Sequence, residues 1–228
     1  MLEDLFSLAD SGASVLTLQY GIDPGRFYPL APLTHLDRPV CFSNRAMVPG
    51  CGVETILRAA AVLAFRGSAL RFILCDSTDR NASFRDMAKA LQLMDTIRFE
   101  GRIEHEQMPA ALRRAAIYIS MVSPDGPSIS LMEAMACGLF PVVSDIPANR
   151  DWVTEGVNGF LVPPGRADIL ADRLQKAWDN RELRRRAAGL NWEQVLDRCD
   201  FSRNMQKIET AIVKLVTPQT ASPCFKAQ

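Results

Sequence analysis

The 228-residue chain balances 26 Lys+Arg against 26 Asp+Glu, so no net charge draws it to nucleic acid or to an acidic membrane surface. Hydrophobic residues make up 48 % and charged residues 23 %, an ordinary globular composition with enough apolar side chains for a real core. Two histidines, His35 and His105, are too few for a dense zinc cluster, and no apolar run approaches the roughly 20 residues of a membrane span.

The six cysteines, Cys41, Cys51, Cys75, Cys137, Cys199 and Cys224, form no CxxC pair, and several sit in apolar runs. That pattern fits reduced, buried thiols in a cytoplasmic protein better than a disulfide framework. The N-terminus, MLEDLFSLAD, lacks the basic region and cleavage site of a signal peptide.

In chain order, residues 1–10 read as a short amphipathic helix and 14–18 as a strand, followed by a loop punctuated by Gly21, Pro24 and Gly25. Strands are predicted at 39–43, 70–75, 97–99, 116–121, 140–144 and 159–162. Between them the spacing predicts helices at 53–65, 81–93, 104–115, 128–137 and 148–154. Three charged helical segments close the chain, at 167–179, at 181–188 with Gly189 as the stop, and at 192–215. This alternation predicts an α/β fold: a Rossmann-like open, mostly parallel sheet with helices on both faces. Residues 1–35 read as a helix, a strand and an interdomain connector, 36–190 as the Rossmann-like domain, and 191–228 as a closing helix and frayed tail.

Ligands of such sheets bind beyond the carboxyl ends of the strands, so the loops after strands hold the candidates. The stretch SPDGPSISLMEAMACGLF stands out. Glu133 is the only charge in its apolar helical part, and it needs a cleft or a partner because burying a lone carboxylate is costly. Asp125 lies eight residues earlier, in the loop leading into the helix. Gly126 permits close approach, and the amides of Ser128, Ile129 and Ser130 make a helix N-terminus suited to a phosphate. The plainer readings are an N-cap by Asp125 or Ser128 and a solvent-facing Glu133. Arg45, after the first core strand and beside Gly50 and Gly52, reads as a diphosphate clamp or as a surface arginine capping that strand. Gly50, Gly52 and Asp76 also approximate a dinucleotide fingerprint. Against that reading, the strand ends by Ser43, and Thr55 stands where close helix–sheet packing wants Gly or Ala.

Taken together, these motifs resemble the C-terminal, donor-binding domain of family 4 retaining glycosyltransferases of the GT-B fold. VLTLQYGIDPGRFYP is similar to the interdomain lead-in, SNRAMVPGCGVETILRAAA to the first strand, phosphate loop and helix, and IRFEGRI to the turn bordering the nucleotide base. DGPSISLMEAMACGLFPVVSDIPANRDWV with GVNGFLVPPG is the most specific match. The resemblance implies transfer of a hexose-type sugar, with retention, from a nucleotide-diphosphate sugar to an unknown acceptor. It gives Asp125 the donor sugar, Glu133 the ribose, Arg45 the diphosphate, and Gly126, Pro127, Ser128, Ile129 and Ser130 the diphosphate or sugar. Arg102 and Ile103 fall at the positions flanking the base. No divalent metal is implied.

Three departures accompany the match: Asp125 where the family has Glu, Cys51 at or beside a second clamp lysine, and Cys75 for a glycine. The family's acceptor-binding half has no counterpart in this sequence, so the resemblance implies transfer only when another chain, or a second copy, supplies that wall. It implies no nucleic-acid partner and at most peripheral membrane contact. The alternative is a non-catalytic nucleotide-sugar-binding or scaffold domain. Closing helices that carry Trp192 and Phe201 are expected to leave an apolar patch exposed.

Overall fold

The computed structural model describes residues 18, 21–75, 82–123, 126 and 128–216. The helix and strand expected within residues 1–18, together with Asp76, Asp125, Pro127 and the tail, lie outside the described residues.

Among the described residues, β1 (Val40–Ser43), β2 (Arg71–Cys75), β3 (Ile97–Glu100), β4 (Ile117–Ser120), β5 (Phe140–Ser144) and β6 (Phe160–Val162) form one sheet in the order β3-β2-β1-β4-β5-β6. All of its pairings are parallel. Successive side chains of a strand point to opposite faces, and here both faces are apolar. Phe72 and Leu74 of β2 join one core with Cys41, Ile117, Ile119, Phe140 and Val142. Ile73 and Cys75 join the other with Phe42, Tyr118 and Val143. A sheet buried on both sides needs helices on both sides.

The first core is closed by α1 (Val53–Phe65) and α2 (Ala82–Ala90) together with the later α6 (Ala167–Asp179). The second is closed by α3 (Met108–Leu112), α4 (Ile129–Ala136) and the C-terminal half of α7 (Arg181–Cys199), whose Leu183, Ala187 and Ala188 pack on the first core. The short α5 (Pro147–Arg150) links β5 to β6, and α8 (Phe201–Val216) follows α7. No helix among the described residues is long and apolar enough to cross a membrane.

Several helix boundaries differ from the sequence reading. The helix expected at 104–115 shrinks to Met108–Leu112, because Pro109 belongs in a first turn, where its missing N–H costs nothing. Residues 101–107 are then free to form an irregular turn, which becomes important at the site. The helix expected at 148–154 is only Pro147–Arg150, again started by a proline. Gly189 does not stop a helix: α7 runs through it to Cys199. Glycine in a helix interior costs about 1 kcal/mol, and α7 offsets this with tertiary contacts, burying Leu183, Ala187, Ala188 and Val195. Asn191 is buried with them; it donates to the Asn158 carbonyl at 3.1 Å and accepts from the Asn158 amide at 2.9 Å. The break falls instead at Asp200, whose extended backbone (ψ 114°) separates α7 from α8. There Ile22 N–H donates to Cys199 O at 2.7 Å, and Phe201 N–H donates to Ile22 O at 3.0 Å. A backbone pairing with a segment almost 180 residues away cannot be read from local periodicity.

The exposed apolar surface expected of the closing helices is present in part. Phe201, Ile212 and Val213 are exposed, whereas Trp192 is half-buried against the second core.

His35 is buried in the 3-10 turn Thr34–Asp37. Burial first, and then the Arg113 charge, hold its imidazole below the ordinary value of 6.5. The unfolded chain therefore takes up a proton near pH 6.5 that the folded chain resists. His35 contributes fully above that pH, and stability falls as the pH drops through it. Urea unfolding between pH 8 and pH 5 should show this decline, and the His35→Leu variant should show a flatter profile over the same range. An unchanged profile would refute the assignment.

Candidate active site

Strand order reverses between β1 and β4. The chain leaves β1 through α1 toward β2 and leaves β4 through α4 toward β5. The connections part in opposite directions and open a crevice at the carboxyl ends of these two strands, where such sheets take ligands.

β1 delivers Asn44 and Arg45 to this crevice. Asn44 is fixed from two sides: its Oδ1 accepts from Tyr118 Oη at 3.1 Å, and its Nδ2 contacts Met108 Sδ at 3.6 Å. Arg45 reaches across the crevice, where its Nη1 donates to Ser128 Oγ at 3.3 Å. Ser128 is the N-cap of α4, with its Oγ accepting from Leu131 N–H at 3.3 Å. Serine is favoured there because its short oxygen satisfies one of the donors a helix start leaves open. The amides of Ile129 and Ser130 belong to the same set of first-turn donors. A guanidinium and a helix N-terminus thus converge from the two sides of the switch point, an arrangement suited to a polyanion.

Gly52 makes this geometry possible. It caps α1 in the left-handed conformation (φ 75°), and a Cβ there would lie 2.3 Å from the carbonyl oxygen of Met121, just beyond β4. The glycine therefore lets the start of α1 rest on the end of β4, which is its function in place of a dinucleotide fingerprint.

Glu133 lies one turn inside α4 and is 5 % exposed. Its neighbours Leu131, Met132, Ala134, Met135 and Ala136 are buried and apolar. Burial pushes its carboxyl above the usual carboxylate range, while the His105 hydrogen bond and the Arg26 charge oppose that push. His105 Nε2 stands 2.9 Å from Glu133 Oε1. Both residues line a cavity of about 420 Å³ whose other walls are Gly21, Ile22, Asp23, Phe27, Ile129 and Phe201. Apolar walls around a few convergent polar groups are the usual make-up of a small-molecule site.

The structure thus brings Arg45, Ser128, Ile129 and Ser130 to one crevice, with Glu133 beneath it. Gly126 is exposed. Arg102 and Ile103 precede His105 in the irregular segment after β3. The Arg102 side chain is 70 % exposed and pairs with Glu104 at 3.2 Å, and Ile103 packs on the second core. Sequence reasoning missed His105, Ile22, Phe27 and Phe201 as cavity residues. The one available signal was the pair of apolar residues in the otherwise Gly- and Pro-rich lead-in. Among the described residues, no group of three or more His, Cys, Asp or Glu side chains is placed to hold a metal ion.

The family model for glycosyl transferases group 1 matches residues 32–189, a span that contains the whole sheet and the crevice. The chain belongs to this family. Curated relatives agree with the assignment. This group 1 domain is 25 % identical over 190 residues to alpha-D-kanosaminyltransferase of Streptomyces kanamyceticus, covering 82 % of the chain and 46 % of the relative. It is 30 % identical over 167 residues to phosphatidyl-myo-inositol mannosyltransferase of Mycobacterium leprae (strain TN), covering 73 % and 44 %. The chain therefore spans about half the length of the curated relatives it matches.

Among solved structures, the fold is shared with sucrose-phosphate synthase from Thermosynechococcus elongatus (TM-score 0.81, 19 % identity, 93 % of this chain and 56 % of that one). It is also shared with the C-terminal domain of a glycosyl transferase group 1 family protein from Francisella tularensis (TM-score 0.69, 20 % identity, 78 % and 98 %). The group 1 sheet described here is one half of a GT-B fold.

Proposed function

We propose that this chain supplies the donor-binding half of a retaining glycosyltransferase that moves a hexose-type sugar from a nucleotide-diphosphate sugar to an acceptor. The observation that carries the proposal is the convergence of Arg45 and the α4 N-terminus across the β1/β4 switch point, with a buried carboxylate one turn below. In this reading Arg45 and the backbone of Gly126, Pro127, Ser128, Ile129 and Ser130 bind the diphosphate or the sugar. Glu133 accepts from the ribose hydroxyls, Asp125 contacts the donor sugar, and Arg102 and Ile103 flank the base.

As the glycosidic bond to the donor breaks, negative charge builds on the departing diphosphate and positive charge on the anomeric carbon. Fixed amides and a guanidinium stabilise the former without reorganising. Neither acid is assigned as a base. The acceptor meets the donor at a cleft whose second wall comes from a further domain, a partner chain or a second copy, and orienting the two substrates there supplies much of the rate.

The experiment is a calorimetric comparison of Arg45→Ala with the wild type. A hydrogen bond to a charged group contributes about 1.5–3 kcal/mol. The variant should therefore bind a nucleoside diphosphate about 10- to 100-fold more weakly, while its affinity for the free nucleoside stays the same. Equal affinity of the two proteins for the diphosphate would overturn the placement.

A further inference from the structure

The Glu133–His105 contact joins two groups 28 residues apart, one on α4 and one in the irregular turn after β3. The imidazole leans on Phe27, with ring centroids 5.4 Å apart, so a second cavity wall holds it in place. An ionised carboxylate is acceptor-only, and for this contact to be a hydrogen bond Nε2 carries the proton. That occupies Oε1. The Glu133 carboxylate has no other hydrogen-bond partner among the described residues, which leaves Oε2 to accept from a ligand in the cavity.

Carboxylates on long side chains lose rotamer freedom when they grip a ligand. A partner already bound to one oxygen removes much of that cost in advance, as ligand-shell hydrogen bonds do in other sites. The 59 % exposure of the His105 side chain gives it little packing to do, so its contact with Glu133 stands apart from the stability of the core.

We propose that His105 is the positioning residue for this carboxylate. By donating to Oε1 it turns Oε2 toward the cavity, and so sets the preference for a ribonucleotide over its 2′-deoxy counterpart. This rests on the reading above that Glu133 receives the ribose.

The test titrates wild type, His105→Ala and His105→Gln with whichever of UDP, GDP and ADP binds the wild type most tightly, and with its 2′-deoxy form. The wild type should prefer the ribonucleotide about tenfold or more. In His105→Ala the ribonucleotide should weaken about tenfold and the 2′-deoxy form by no more than about twofold, so the preference collapses. His105→Gln keeps an N–H donor at this place and should restore most of the preference. A purely structural role would weaken both nucleotides alike and would not be rescued by glutamine. A wild-type preference that persists in His105→Ala, or equal weakening of both nucleotides, overturns this inference alone. Absence of nucleotide binding by the folded wild type overturns the donor-site reading and this inference with it.

Discussion

Glu133→Gln should weaken nucleotide binding and strengthen the fold in the same protein. Glutamine keeps an oxygen that accepts from His105 and nearly the same volume, so packing against Leu131, Met132 and the rest of the second core is undisturbed. What it removes is the charge. With its oxygen held by His105, glutamine places an amide NH2, a donor, where Oε2 accepts from a ribose hydroxyl, and losing a charge-assisted hydrogen bond costs about 1.5–3 kcal/mol. Affinity for the bound nucleotide should fall about 10- to 100-fold.

Stability should move the other way. Burial raises the Glu133 carboxyl above its ordinary value of 4.5, so the folded chain holds that proton to a higher pH than the unfolded chain does. The linkage sign is then clear: stability is lost as pH rises from the unfolded value through the folded one. At pH 7 the ionised carboxylate is a net cost, and removing it should give about 0.5–2 kcal/mol, the common size of a single stabilising change at a functional site. Thermal unfolding should show a midpoint raised by about 2–4 °C per kcal/mol for a domain of this size. At pH 3.5 the gain should vanish, because the wild-type residue is then protonated in both states. A variant that binds as the wild type does, or one that is destabilised at pH 7, would contradict the assignment of Glu133 as a residue kept for its ligand.

The largest effect on the fold is expected from Gly52→Ala. Alanine at φ 75° is strained by about 1–3 kcal/mol, and its Cβ would lie 2.3 Å from a backbone oxygen that belongs to another element. Relief requires α1 to lift from the end of β4, moving the Arg45 loop away from Ser128. A loss of about 3 kcal/mol or more follows, or about 10 °C in the unfolding midpoint, with nucleotide affinity lowered as well. Gly50→Ala is the control. Gly50 also has positive φ (87°), but a Cβ there meets nothing within 4 Å, so only the strain remains and the cost should be about 1 kcal/mol. Equal losses in the two variants would show that the contact with Met121 is not what holds this corner.

Much of the fold is legible in local pattern, because both cores are made of strands and helices whose apolar positions repeat at the expected spacing. Ile56, Leu57, Ala60, Val62 and Leu63 announce α1 by periodicity, and all but the half-buried Val62 are buried. Glu133 announces itself as a lone charge in an apolar helix. The failures share one physical origin, contacts between residues distant in sequence. Gly189 reads as a stop, yet α7 continues because its buried face is held by α4 and by Asn158. His105 reads as part of a polar helix start, yet Pro109 delays the helix and leaves the histidine in a turn that reaches Glu133. Ile22 and Phe201 meet through backbone hydrogen bonds, which leave no trace in side-chain pattern.

The measurement that bears most directly on the donor site is isothermal titration of the folded wild-type protein with UDP, GDP and ADP. One of the three should bind at a single site, and Glu133→Gln should weaken that binding. No heat of binding from any of them at millimolar concentration, in a sample shown by circular dichroism to be folded, would contradict the account.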